Sequence, residues 1–158
     1  MKQANRTTAP VNDVEKESLH LWMVLSRAYQ SVVSLINADI HSYGLNPTEL
    51  GVLDFLYHSD EPQPLQKIGQ KVLISSGNIT YVVDKLEKKN LLARRSCDND
   101  RRVIFAELTE QGNSFFESIF DQHKQAIVEA MAGLTQEEKL VVIPLLKKLG
   151  FAAADKTV

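Results

Sequence analysis

The stretch SSGNITYVVDKLEKKNLLARRSCDNDRRVIFAEL, residues 75–108, places an amphipathic helix directly in front of a β-hairpin. Ser75 suits a helix N-cap, and Ile79, Val82, Val83 and Leu86 recur at the three- and four-residue spacing of one narrow apolar face. Gly77, Tyr81, Asp84 and Lys85 then point largely the other way, with Asn78 and Thr80 on the flanks. After Asn90, LLARRS and RVIFAEL are β-prone and are separated by the turn formers Asp98, Asn99 and Asp100.

Immediately upstream, Pro64 or Leu65 opens a short helix with Leu65, Ile68 and Val72 on one side. Two short helices joined by a tight turn, the second apolar on one face and polar on the other, form a helix-turn-helix. The hairpin behind them makes it a winged helix with Arg101 at the wing tip. The expected fold is therefore mainly α with a small β-hairpin wing.

Long helices flank this unit. From Asp13 to about His41, Leu19, Trp22, Leu25, Tyr29, Val32, Val33, Ile36 and Ile40 form the stripe of an amphipathic helix that must be covered, with Trp22 read as core. Asn46-Pro47-Thr48-Glu49 is a capped start for a second helix running to about His58. Thr109 caps a helix carrying Phe116, Ile119, Phe120, His123, Ile127 and Met131, and Thr135-x-x-Glu138 is the capping box of a last one. Pro144 is expected to bend or interrupt that last helix. Residues 1–12 read as a loose arm. The whole chain, 1–158, is then one domain, with 46–108 the winged helix-turn-helix and 13–45 and 109–153 the dimerisation helices.

Apolar residues make up 44% and charged residues 24% of the chain, which is enough for a packed core and excludes a largely disordered protein. The net charge of −2 does not itself point to nucleic acid, but its distribution does. Between Lys85 and Ala106, seven basic residues face three acidic ones, and both flanking segments are acidic. Such an island can steer a polyanion to one place. The plainer reading of a charge cluster is a solvated face.

The single Cys97 excludes an intramolecular disulfide framework. No metal-ligand cluster, glycine-rich phosphate loop or nucleophile elbow is visible, so neither an enzyme nor a cofactor is expected. The polar N-terminus and short apolar runs point away from a membrane and towards the cytoplasm.

A helix of ~10 Å diameter fits the B-DNA major groove, and its first amides favour a phosphate. Small Ser75, Ser76 and Gly77 would allow a close backbone approach. Asn78, Thr80, Tyr81 and Lys85 are the candidates for base-edge or phosphate contacts. Arg101 at a turn tip suits a narrow minor groove. Arg94 and Arg95 alternate along a strand, so one of the two is expected to face DNA. The terminal helices carry more apolar surface than a small domain can bury, and a two-fold homodimer would set two such helices ~34 Å apart, one DNA turn.

The order of elements, LNPTELGVLDFL, LQKIGQKVLISSGNITYVVDKLEKKNLLARR, the wing DNDRRV and the following LTEQG together resemble the MarR family of bacterial transcription regulators over nearly the whole chain. SGNITYVVDKLEKKNLL, the cysteine before the wing and FAELTEQG are similar to the methylhydroquinone-resistance branch of that family. The resemblance implies an obligate dimer held by the first and last helices, an inverted-repeat operator in double-stranded DNA, and repression relieved by a small ligand or oxidant. The family's Asp-Arg pattern also implies that Arg102 pairs with Asp98 or Asp100 and stiffens the hairpin.

Two sensing schemes follow. A small phenolic or quinone effector would sit between the dimer helices and the winged helix, with His20, Tyr43, Phe116, Phe120 and His123 as the expected lining. For His123, a satisfied core or interface histidine is the plainer reading. The rival is electrophile or redox chemistry at Cys97, whose thiol Arg95, Arg101 and Arg102 would activate. Against it, redox-sensing members of the family typically place their cysteine near the N-terminus, where this chain has none. A function of another class, a winged-helix module that binds protein, would tolerate loss of Arg101 and lack steep salt dependence.

Overall fold

The structure is a computed structural model and describes residues 12–72, 76–96 and 102–156. Ser75, Cys97 and Arg101 lie outside the described residues, as do the side chains of Ser76 and Gly77.

Helix α1, Asp13–Ser42, is 30 residues long and so extends about 45 Å. Asn12 accepts from the Glu15 amide while the Glu15 side chain accepts from the Asn12 amide, a reciprocal cap that the sequence reading did not single out. Gly44, at φ +72°, turns the chain after α1, and Asn46 and Glu49 form the expected capping box of α2, Pro47–Tyr57. Two residues, Gln63–Pro64, make strand β1, and α3, Leu65–Lys71, follows directly.

Helix α4 covers Ser76–Lys88. Its end is fixed by Asn90 in the left-handed conformation, φ 57°, with the Leu91 amide bonded to the Leu86 carbonyl and the Asn90 amide to that of Glu87. This pair of bonds satisfies carbonyls that the helix would otherwise leave orphaned. The chain then turns into β2, Leu92–Ser96, which pairs antiparallel with β3, Ile104–Leu108, in a register that sets Arg94 opposite Ala106. Strand β1 adds to the free side of β3, giving the order β1-β3-β2. The sheet thus has one more strand than the hairpin expected from sequence. A two-residue strand carrying a proline has no period to read, and its place at the sheet edge is where proline is tolerated.

Helices α5, Glu110–Ala130, and α6, Gln136–Ala154, complete the chain. Thr109 and the Thr135/Glu138 box cap them as the sequence implies. Helix α6 continues through Pro144, so that residue does not interrupt it. A proline removes one backbone bond but leaves the helix intact where flanking turns hold it.

The core is centred on the winged helix. Ile79, Val82, Val83 and Leu86 of α4 are buried against Val52, Leu53 and Leu56 of α2, Ile68 of α3 and Leu92 of β2. Each such side chain contributes roughly 2 kcal/mol by its removal from water. The terminal helices differ. Of α1 only Ile40 is buried, and of α6 no residue is. Trp22, read from sequence as core, is 67% exposed, because none of the described residues covers that part of α1.

Candidate nucleic-acid interface and the cavity behind it

With its apolar face spent on the core, α4 presents Asn78, Thr80 and Tyr81 to solvent, and Tyr81 is 59% exposed although aromatic. Lys85 stands one turn further along with its Nζ 4.8 Å from the centre of the Tyr81 ring. A hydrogen bond with the Tyr81 hydroxyl and then its charge raise the Lys85 pKa above the usual lysine value, against an opposing effect of burial and with a smaller contribution from Glu49. The lysine is therefore a fixed cation on this face. A groove lined by Asn46, Pro47, Thr48, Asn78, Tyr81 and Val82 separates the start of α2 from the same face.

The other end of α4 is tied down by Lys89, whose Nζ donates to the Gly44 carbonyl at 2.9 Å and to Glu49 Oε2 at 3.3 Å. Glu49 is buried and also caps α2, so one carboxylate links the α1–α2 corner to the end of α4.

The two strand arginines separate as alternation requires. Arg94 turns back onto α4, where its Nη2 pairs with Asp84 and its Nε lies 3.3 Å from Glu87 Oε2. Arg95 is exposed. Arg94, expected as a possible DNA contact, is thus engaged with carboxylates of α4, and Arg95 is the arginine of β2 left facing solvent. Arg102 is exposed and makes an interaction of its own.

The wing's return strand leads into a second fixed junction. Thr109 donates through its hydroxyl to the Asn90 carbonyl at 2.6 Å, and its amide bonds the Leu91 carbonyl. The same hydroxyl accepts from the Gly112 amide at 2.9 Å. The sequence Leu-Thr-Glu-Gln-Gly therefore joins α5 to the turn that ends α4.

Behind the winged helix, between α1, α2 and α5, lies a mostly apolar cavity of about 530 Å³. Ile40, Leu50, Phe116, Phe120 and Ile127 form its walls, and His123 is among the polar groups reaching it. The Phe116 and Phe120 rings are tilted against each other at 5.7 Å between centres. His123 Nδ1 lies 2.7 Å from Asp39 Oδ2, and the Tyr43 hydroxyl donates to Asp39 Oδ1 at 2.5 Å. Burial first, then the hydrogen bond and charge of Asp39, pushes the Tyr43 pKa well above the ordinary tyrosine value.

Of the five residues named from sequence as the lining of an effector site, Phe116, Phe120 and His123 line this cavity. Tyr43 does not reach the cavity but holds Asp39. His20 is removed from the set: it is exposed on α1, twenty residues or ~30 Å of helix from Ile40. Asp39, which sequence reasoning missed, sits 84 residues from His123 in the chain and carried no local signal.

Among the described residues, no group of His, Cys, Asp or Glu could hold a metal, and no helix is long and apolar enough to cross a membrane.

A helix-turn-helix backed by a three-stranded wing, with a polar helix face flanked by cations, defines a DNA-binding regulator. Residues 45–104 match the model of the MarR family. The chain is 49% identical to the HTH-type transcriptional regulator MhqR of Bacillus subtilis over 138 residues, covering 87% of this chain and 94% of that protein. It is 30% identical to the HTH-type transcriptional repressor MdtR of the same organism, over 82% of this chain and 83% of MdtR. Among solved structures, AbsC of Streptomyces coelicolor, a MarR family transcriptional regulator, superposes with a TM-score of 0.79 at 20% identity, covering 94% of this chain and 99% of AbsC. A mutant of MarR from E. coli complexed with operator DNA superposes with a TM-score of 0.73 at 22% identity, covering 87% of this chain and 99% of that one. The chain belongs to the MarR family and is a transcription regulator of its MhqR-like branch, not an enzyme.

Proposed function

We propose that the protein is a homodimeric repressor that binds an inverted-repeat operator and is released by a small phenolic or quinone-type ligand. The observation that carries this reading is the position of α2. One side of it, through Pro47, Leu50 and Gly51, walls the cavity, while Pro47 and Thr48 also border the exposed face of α4. A ligand that moves α2 relative to α5 would move the DNA-contacting helix with it.

On this reading, Asn78, Thr80, Tyr81 and Lys85 contact the major groove, with Ser75, Ser76 and Gly77 at its phosphates. Arg95, Arg101 and Arg102 serve the wing. The exposed apolar faces of α1 and α6 support the homodimer, since in a single chain they would remain in water. The similarity to MhqR supports the effector class.

Fluorescence anisotropy on the DNA upstream of the protein's own gene tests the reading. Binding should weaken about a thousandfold or more between ~50 and ~200 mM salt, as expected for several phosphate contacts, and 2-methylhydroquinone should release the complex. Binding indifferent to salt would favour a protein-interaction module instead. Release that is lost in Cys97→Ser would transfer sensing from the cavity to the thiol.

A further inference from the structure

We infer that the cationic end of the groove along α4 is a phosphate-binding site for one strand of the operator backbone, held by Lys85 and Lys88 and separate from the part of α4 that reads bases. This rests on the proposal that α4 reads an operator and goes on to assign a division of labour along the helix.

Asn78, Tyr81, Lys85 and Lys88 follow one another at three and four residues, so they share one side of the helix. The groove between that side and the start of α2 runs on into a second one. Asn46 lines both, and the second is bordered by Gly44, Glu49, Lys85, Lys88 and Lys89. Its character changes along the way. Beside Asn78 the walls carry the uncharged polar groups of Thr48 and Tyr81, whereas beyond Asn46 three lysines face a single carboxylate.

That carboxylate is already engaged. Glu49 accepts from the Asn46 amide at 2.9 Å and from Lys89 Nζ at 3.3 Å, and Lys89 also donates to the Gly44 carbonyl. The acids nearest Lys85 and Lys88 on α4, Asp84 and Glu87, are held by Arg94 from the side of the strand. Lys85 and Lys88 take part in no ion pair among the described residues. Two unneutralised ammonium groups about one turn apart, over a frame fixed by Lys89 and Glu49, make a site for an extended polyanion.

The dimensions decide which part of the DNA it meets. From Asn78 to Lys88 the helix rises ten residues, ~15 Å, whereas the major groove is ~12 Å wide and ~8.5 Å deep. With Asn78 at the base edges, the last turn of α4 stands outside the groove, over the sugar-phosphate rim. Lysine suits that place, because a point charge on a flexible stem binds phosphate without the fixed geometry that a base edge demands.

The test is fluorescence anisotropy of the full-length protein across a salt series on two duplexes, the DNA upstream of its own gene and a scrambled duplex of equal length and composition. Lys88→Gln should weaken binding to both by the same factor and lower the salt slope by about 0.9, and Lys85→Gln with Lys88→Gln should lower it by about 1.8. The ratio of the two affinities should stay at the parent value. Asn78→Ala should do the reverse, lowering the ratio and leaving the slope. A lysine in the last turn of a helix also complements the helix dipole. If that is its whole role, Lys88→Gln lowers Tm and leaves both slopes untouched, which overturns the inference. A fall in the ratio at unchanged slope overturns it too, since the lysines would then read bases. A parent that binds both duplexes equally would sink the operator reading alone, because the slope on the scrambled duplex still decides whether Lys85 and Lys88 hold phosphates. Absence of binding to either duplex overturns both.

Discussion

The carbonyl oxygen of Leu91 lies 1.8 Å from where a β-carbon on Gly112 would stand. Position 112 admits no side chain because α5 begins by crossing directly over the turn that ends α4. Thr109 and Gly112 are two halves of one junction: the threonine bonds the Asn90 and Leu91 carbonyls, and the glycine lets the helix backbone approach them.

Gly112→Ala should therefore cost about 3 kcal/mol, at the upper end of overpacking substitutions, since the obstacle is backbone and cannot rotate away. For a domain of this size that lowers Tm by roughly 10 °C. Gly133→Ala, where nothing stands within 4 Å of the added carbon, is the matched control and should change Tm little. Equal melting of the two variants would disprove the close-approach account.

Arg94 and Arg95 should fail differently on DNA. Arg94 neutralises Asp84 and Glu87 on α4, so Arg94→Ala would leave two carboxylates bare beside the nucleic acid. Operator affinity should fall about tenfold at low salt with no loss of salt slope, and Asp84→Asn added to that variant should recover part of it. Arg95→Ala should instead reduce the salt slope by about 0.9, the signature of one lost phosphate contact. Anisotropy titrations across a salt series separate the two, and identical slopes in both variants would reject the division of roles.

How far the sequence reached can be judged at particular residues. The apolar face of α4, the hairpin, and the caps at Asn46, Thr109 and Thr135 were legible because each is a local pattern of spacing and residue type. Phe116, Phe120 and His123 could be picked out as one stripe of α5. Asp39 could not, because it is defined only by the packing of α1 on α5. The division between Arg94 and Arg95 was legible as alternation, but which one faced α4 depended on the strand's register with β3. Trp22 misled for a related reason: a helical stripe states that a face must be covered, not that this chain covers it.

Alkaline stability should depend on Tyr43. Its pKa is raised in the folded protein, so the native state holds that proton more tightly than the unfolded chain does. The contribution is whole below the unfolded tyrosine value of about 10 and is lost as pH rises beyond it. Tyr57, raised by burial and by Glu117, acts in the same direction. Tyr43→Phe should flatten the fall of stability above about pH 10 relative to the parent, read by urea unfolding at stepped pH. A parallel pair of pH profiles would show that the Tyr43–Asp39 bond carries no proton linkage.

The sole tryptophan reports on the dimer. Trp22 is 67% exposed in the protomer, on the stretch of α1 that also exposes Leu19 and Tyr29, and α6 adds Leu145 at 60% and Phe151 at 71%. Apolar surface of this extent on two long helices favours association, and folding linked to association makes Tm rise with protein concentration. If α1 and α6 meet their counterparts in a two-fold interface, Trp22 emission should be blue-shifted at micromolar protein and move to the red on dilution. Leu145→Glu, placing a charge in that interface, should give the red-shifted spectrum at all concentrations, a monomer in sedimentation, and a Tm independent of concentration. Red-shifted Trp22 in a species that sediments as a dimer would place the interface elsewhere on the chain.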